Sequence, residues 1–140
     1  MAYLDTSVLV AYYCPEALSA KAEREIQQDV APTISPLTEV EFYSALSRKT
    51  RIGELSLEDA NRMAALFELH LGEKRYIRVP VTDREYVLAR NWIARFSTPL
   101  RTLDGIHLAA AFANKLELVT TDKGLAFAAK HCGVQCRLIC

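Results

Sequence analysis

The stretch LRTLDGIHLAAAFA, residues 100–113, places Asp104 at the mouth of a run in which His107 is the one polar side chain between Ile106 and Ala113. A helix that is apolar on most faces is a buried helix. A carboxylate at its entrance then needs a partner to offset the loss of water. Two further acids have comparable addresses: Asp5 follows the strand-like AYL, and Asp122 follows LELVTT at 116–121. In open α/β sheets, ligands bind beyond the carboxyl ends of strands, near the point where strand order reverses. Three carboxylates converging there would repel one another and demand a cation. A hard divalent ion such as Mg²⁺ takes oxygen ligands from carboxylates, waters and phosphate. Each acid also has a plainer use: Asp5 as an N-cap in DTS, Asp122 as an N-cap in TDKG, and Asp104 as a first-turn charge favoured by the helix dipole.

The elements that must carry these acids alternate along the chain. AYL reads as a short buried strand, and Thr6 or Ser7 then caps a helix through Tyr13 that Pro15 breaks. Residues 16–29 are rich in helix formers. APTISP, 31–36, suggests a second short strand, and Ser35 with Pro36 opens a helix to about Thr50. Gly53 ends that region. Ser56, with Asp59 three residues on, starts a helix that Gly72 closes. YIRVPV, 76–81, is a third strand, followed by a helix from Thr82 to about Phe96 and the helix from Thr102. A strand at 116–121, a helix at 123–132 and a strand QCRLI complete the chain. Short apolar strands alternating with helices predict an α/β fold with a largely parallel sheet and helices on both faces. The chain shows no internal repeat, low-complexity segment or domain linker, so residues 1–140 are expected to form one domain.

Bulk properties narrow the function. At 140 residues and 51% apolar composition the chain suits a globular core. Seventeen Lys and Arg balance seventeen Asp and Glu, which does not announce a nucleic-acid binder, although a local basic patch remains open. No apolar run approaches the roughly 18–20 residues of a membrane span. MAYLDTSVLVAYYCPE lacks the basic n-region of a signal peptide, so a soluble cytoplasmic protein is expected. Of the cysteines Cys14, Cys132, Cys136 and Cys140, the last two alternate with Val134 and Leu138 as on one strand face. They read as reduced, half-buried thiols, since a zinc site would want a CxxC pair or paired His.

The acids also carry a resemblance. LDTSVL near the N-terminus, TEVEFYSAL at 38–46, LDGIHLAAA at 103–111 and LVTTDKGL at 118–125 resemble the four acidic motifs of PIN-domain proteins. Length and motif order are most similar to VapC-type toxins of toxin–antitoxin pairs. The resemblance spans nearly the whole chain and implies a three-layer α/β/α sandwich with a short, mainly parallel central sheet. It also implies a metal-dependent endoribonuclease whose acids are Asp5, Glu41, Asp104 and Asp122, supported by Thr6, Ser7 and Thr121. Gly105 departs from the Ala common in relatives, at a small cost in helix propensity. TEVE offers both Glu39 and Glu41, about 200° apart on a helix. Apolar periodicity does not choose between them, and the match of EFYSAL to the family pattern selects Glu41.

Hydrolysis of an RNA phosphodiester needs a nucleophile and relief of phosphate charge, and Mg²⁺ or Mn²⁺ supplies both. Asp5 and Asp104 are expected to ligate the main ion, with Asp122 assisting through water. Glu41, its pKa raised by the neighbouring charges, would orient or deprotonate the attacking water. His107, three residues after Asp104, reads either as orienting that aspartate or as a packed residue with a satisfied hydrogen bond; His70 and His131 show no partner by spacing. Basic residues must draw RNA to an acidic cleft. Candidates are Arg48, Lys49, Arg51, Arg101 and Lys123, and Lys74, Arg75 and Arg78 before or within strand three. Tyr12 and Tyr13 offer faces for base stacking or a partner surface. The resemblance further implies a homodimer and a cognate antitoxin laid in a groove near the first helices, where Val8, Leu9 and Tyr12 have helical spacing. Core packing explains that stripe equally well. Two phosphotransfer alternatives are disfavoured: a receiver-type domain and a haloacid-dehalogenase-like enzyme would want more acids beside Asp5 than Thr6 and Ser7 supply. A catalytically silent PIN-like module that binds RNA or protein is the alternative that stays open.

Overall fold

The computed structural model describes all residues, Met1–Cys140. Five parallel strands lie in the order β3-β2-β1-β4-β5, with β1 at Ala2–Leu4, β2 at Thr33–Ile34, β3 at Ile77–Arg78, β4 at Glu117–Thr120 and β5 at Cys136–Leu138. Seven helices connect them: α1 (Thr6–Tyr13), α2 (Ser19–Gln28), α3 (Pro36–Arg51), α4 (Leu57–Gly72), α5 (Asp83–Ile93), α6 (Thr102–Ala113) and α7 (Lys123–His131). The expected three-layer sandwich is present, and its sheet is parallel throughout.

Successive strand residues point to opposite faces, and the central strands divide the core accordingly. Ala2 and Leu4 of β1 join Val119 of β4 in one apolar cluster with Val8, Leu9, Phe42, Leu46 and Phe67 from α1, α3 and α4. Tyr3 and Leu118 face a second cluster with Trp92, Ile106, Leu108 and Leu125 from α5, α6 and α7. Each fully buried Leu or Phe in these layers contributes roughly 1.5–3 kcal/mol of transfer free energy. The α6 helix is buried continuously from Gly105 to Ala111, so its all-apolar sequence matches its central place. None of the helices is long and apolar enough to cross a membrane.

Local signals placed most helix starts. Ser35 and Thr38 close a capping box with Pro36 in the first turn of α3, Ser56 accepts from the Asp59 amide, and Thr82 pairs reciprocally with Glu85. Several bounds differ from expectation. α1 begins at Thr6, with Asp5 rather than Thr6 or Ser7 at the cap position, yet the Asp5 side chain makes no capping bond. α2 begins only at Ser19, whose hydroxyl accepts from the Glu16 amide in the preceding turn. α5 stops at Ile93 because the chain reverses through Phe96, at φ 52°. Strands β2 and β3 shrink to two residues each.

Candidate active site

Strand order reverses at β1, with β2 on one side and β4 on the other. The carboxyl ends of β1 and β4 therefore lie side by side at the position where such sheets bind ligands. Asp5 leaves β1 there, and its amide donates to the Val119 carbonyl at 3.0 Å. Its Oδ2 accepts from the hydroxyls of Ser7 (2.7 Å) and Thr120 (2.8 Å). Both donors are fixed in direction, because Ser7 Oγ accepts the Thr121 amide and Thr120 Oγ1 accepts the Asp122 amide, each at 3.0 Å. Asp5 is buried, and its Oδ1 is left without a hydrogen bond, 3.9 Å from His107 Nε2.

Asp122 and Glu41 are held in the same one-sided way, and Asp104 is not. Asp122 caps α7, as the plainer reading of TDKG expects. Only its Oδ1 is used, accepting the Gly124 amide at 2.8 Å and the Leu125 amide at 3.2 Å. A Cβ at Gly124 would stand 3.2 Å from that oxygen, which accounts for the glycine. Glu41 Oε1 accepts from Thr6 Oγ1 at 2.7 Å and from His107 Nε2, leaving Oε2 free. Asp104 makes no hydrogen bond, and its nearest cation is the exposed Arg101, 3.8 Å from Oδ2. Glu39 instead forms a surface ion pair with Arg78 at 2.6 Å. Of the two candidates in TEVE, Glu41 is the one that faces the other acids.

Electrostatics corrects one expectation. Glu41 is held below the usual carboxylate range: burial alone would raise it, but the hydrogen bonds from His107 and from the Thr6 hydroxyl outweigh burial. The acid pushed upward is Asp104, first by burial and then by repulsion from Asp5 and Asp122, against the pull of Arg101. Repulsion among these acids therefore falls on the one without hydrogen-bond donors.

Asp104 also joins two hollows. One of about 580 Å³ is lined by Glu41, Leu100, Arg101, Thr102 and Asp104 among others, and a smaller one by Leu100, Arg101, Asp104, Asp122 and Gly124. Together they form a trough from Glu41 to Asp122. The donors presented to it are carboxylate oxygens, which suit a hard divalent cation. No three His, Cys, Asp or Glu side chains are already drawn around one point, so an ion would complete its shell with water or phosphate oxygen. The largest cavity lies elsewhere, between α5, the end of α6 and the β5 approach, and no Asp or Glu lines it.

Several residues sit differently from expectation. The supporting hydroxyl after β4 is that of Thr120, while Thr121 contributes its amide. His107 takes the second of its two readings, a packed residue with satisfied hydrogen bonds, and does not orient Asp104. It is fully buried, with Nδ1 2.7 Å from the Tyr3 hydroxyl and Nε2 on Glu41. Tyr3, whose hydroxyl also meets Ser35 at 2.8 Å and Thr38 at 3.3 Å, is pushed up to about 12, chiefly by burial. The sequence offered one sign of this network, the lone polar residue between Ile106 and Ala113. Arg48, Lys49 and Arg51 lie in the last turn of α3, two turns or about 10 Å beyond Glu41. There Lys49 pairs with Glu54 and Arg51 with Ser47, and none of the three lines either hollow. Lys123 directly follows Asp122, and Arg101 stands three residues before Asp104. Of the stripe Val8, Leu9 and Tyr12, the first two are fully buried and Tyr12 is half-buried against the same cluster. Tyr13 is buried with its hydroxyl on His70 and Tyr76, so His70 has a partner that spacing did not reveal.

A model of the PIN domain family matches residues 2–130. No curated protein sequence matches the chain. Among solved structures, VapC20 of Mycobacterium tuberculosis, described as a sarcin-ricin loop cleaving toxin, superposes with a TM-score of 0.72 at 17% identity, covering 91% of this chain and 95% of its own. A toxin–antitoxin complex from Klebsiella pneumoniae gives 0.62 at 18% identity over 90% and 91%. The DNA-bound VapBC of Salmonella typhimurium gives 0.67 at 19% identity over the full length of both chains.

Proposed function

The chain belongs to the PIN domain family, and from that premise we propose that it is a metal-dependent endoribonuclease, the toxin of a toxin–antitoxin pair. The observation that carries this reading is the set Asp5, Glu41, Asp104 and Asp122 at the sheet's switch point, each with an oxygen free of hydrogen bonds. A similar solved structure described as a sarcin-ricin loop cleaving toxin supports a nuclease reading, and others solved as VapBC and toxin–antitoxin complexes support an antitoxin partner. A homodimer is part of the same proposal.

A bound Mg²⁺ or Mn²⁺ would lower the pKa of a coordinated water and neutralise charge on the scissile phosphate. Asp5 Oδ1 and Asp104 would hold the ion directly, and Asp122 Oδ2 through water. Ser7 and Thr120 keep Asp5 from rotating by holding its other oxygen. Glu41 is ionised at neutral pH because His107 and Thr6 favour its charge, so Oε2 is ready to accept the proton of the attacking water. Arg101, highly exposed, and Lys123 stand where flanking phosphates would pass.

The test is cleavage of purified cellular RNA with Mn²⁺ or Mg²⁺, with EDTA, and with Asp104→Asn. Discrete products that require metal and vanish in the variant are expected. Cleavage unchanged by the variant would remove the trough from the chemistry. RNA binding without cleavage by folded protein would favour the silent binding module.

A further inference from the structure

Tyr3, Ser35, Thr38 and His107 are all fully buried, and their polar atoms form a continuous line from the core beneath β1 to the trough. We propose that His107 is a positioning residue: held in one tautomer by the Tyr3 hydroxyl, it donates from Nε2 to Glu41 and so decides which Glu41 oxygen meets the attacking water. The inference rests on the nuclease reading above and deepens it.

The direction of each hydrogen bond follows from its neighbours. Nε2 faces Glu41 Oε1 and, at 3.9 Å, Asp5 Oδ1. Ionised carboxylates only accept, so Nε2 must carry a proton. Nδ1 faces the Tyr3 hydroxyl at 2.7 Å. That hydroxyl keeps its proton and can donate it, because Ser35 Oγ at 2.8 Å and Thr38 Oγ1 at 3.3 Å can in turn donate to the Tyr3 oxygen. A ring flipped by a half turn would present C–H edges to both Tyr3 and Glu41 and leave two buried groups unsatisfied, whereas no side-chain polar atom wholly enclosed in this protein lacks a partner. The result is a one-way series: Ser35 to Tyr3, Tyr3 to Nδ1, Nε2–H to Glu41 Oε1. Thr6 donates to the same Oε1 at 2.7 Å. With two donors on Oε1 and none on Oε2, the carboxylate cannot exchange its oxygens by rotation without breaking both bonds.

Two measurements test this. The first needs neither metal nor RNA: long-range ¹H–¹⁵N spectra of the imidazoles in the metal-free protein, with the three histidines distinguished by the loss of one set in His107→Gln. Expected is a protonated Nε2 and a bare Nδ1 at His107, with this preference lost in Tyr3→Phe. Protonation at Nδ1, alone or at both nitrogens, overturns the proposal, as does a Tyr3→Phe spectrum identical to wild type. The second compares His107→Asn with His107→Gln in RNA cleavage, with thermal midpoints checking that both fold. An Asn amide reaches the place of Nδ1, and a Gln amide that of Nε2. His107→Asn is expected to lower kcat by about 10–100-fold with KM nearly unchanged, and His107→Gln to recover most of that loss. Equal losses in two folded variants overturn the proposal. If the wild type cleaves no RNA, the nuclease reading falls, and the imidazole spectra decide the positioning on their own.

Discussion

Replacing Asp104 with Asn is expected to make the metal-free protein more stable while removing its response to divalent ions. Asp104 has no hydrogen bond, and burial together with repulsion from Asp5 and Asp122 holds its pKa up. Asn keeps the shape and removes the charge. At an effective dielectric near 20, relief of such like-charge repulsion amounts to about 1–2 kcal/mol. For a chain of this length that raises the thermal midpoint by about 3–6 °C. The wild type should gain more from metal: an ion held only by the folded state, at about 100 times its Kd, stabilises by about 2.7 kcal/mol, or about 8–10 °C. Thermal denaturation followed by circular dichroism, with EDTA and across a Mn²⁺ series, reads both effects. The reasoning is refuted if metal-free Asp104→Asn melts at or below the wild type, or if Mn²⁺ shifts the variant as far as it shifts the wild type. The first outcome would mean that the aspartates do not repel one another, the second that Asp104 is not a ligand.

Thr120→Val should cost about 1–3 kcal/mol, because it strips a donor from Asp5 and leaves the Asp122 amide unpaired. It should also weaken Mn²⁺ binding by about 10–100-fold, whereas Thr121→Val, whose hydroxyl has no partner, should leave calorimetric affinity near wild type. Glu85, fully buried and held down to about 2 by Arg84 and the Thr82 amide and hydroxyl against the upward push of burial, contributes stability that is present above about pH 4.5 and lost as pH falls from there toward 2. Unfolding free energies of Glu85→Gln from urea titration should therefore lie about 2–3 kcal/mol below wild type at pH 7 and converge with it near pH 2; a constant gap across that range would contradict the assignment. Gly105→Ala should raise the thermal midpoint, adding roughly 0.5–1 kcal/mol of helix propensity, because the new Cβ meets Ala89 and Ile93 at 3.4 Å, ordinary contact. A lowered midpoint would show that α5 and α6 cannot yield even that little.

The trough explains how an acidic site can persist in a metal-free fold. Each of Asp5, Glu41 and Asp122 spends one oxygen on donors from its own surroundings, two hydroxyls, a hydroxyl and an imidazole, and two amides respectively. Asp104 alone has no such donor, and burial with repulsion from Asp5 and Asp122 raises it, so it is the acid that a cation would relieve most.

What the sequence by itself determined is what local chemistry decides. Ser35 with Pro36, Ser56 with Asp59 and Thr82 with Glu85 mark helix starts because their hydrogen bonds close within three residues. The alternation of short apolar runs with helical segments dictated a parallel sheet with helices on both faces, and hence that Asp5 and Asp122 would emerge at strand ends. Which oxygen, which glutamate and which hydroxyl serve the site belonged to the tertiary structure. Glu41 prevails over Glu39 because His107, sixty-six residues away, and Thr6, thirty-five away, meet it across the layers, while Glu39 finds Arg78 at the surface. The donors on Glu41 also reversed the expected direction of its pKa, since a hydrogen bond at contact distance outweighs burial and more distant like charges. Thr120 replaces Thr121 because neighbouring strand residues face opposite ways, and only pairing of β1 with β4, residues more than a hundred apart in sequence, decides which of them turns toward Asp5.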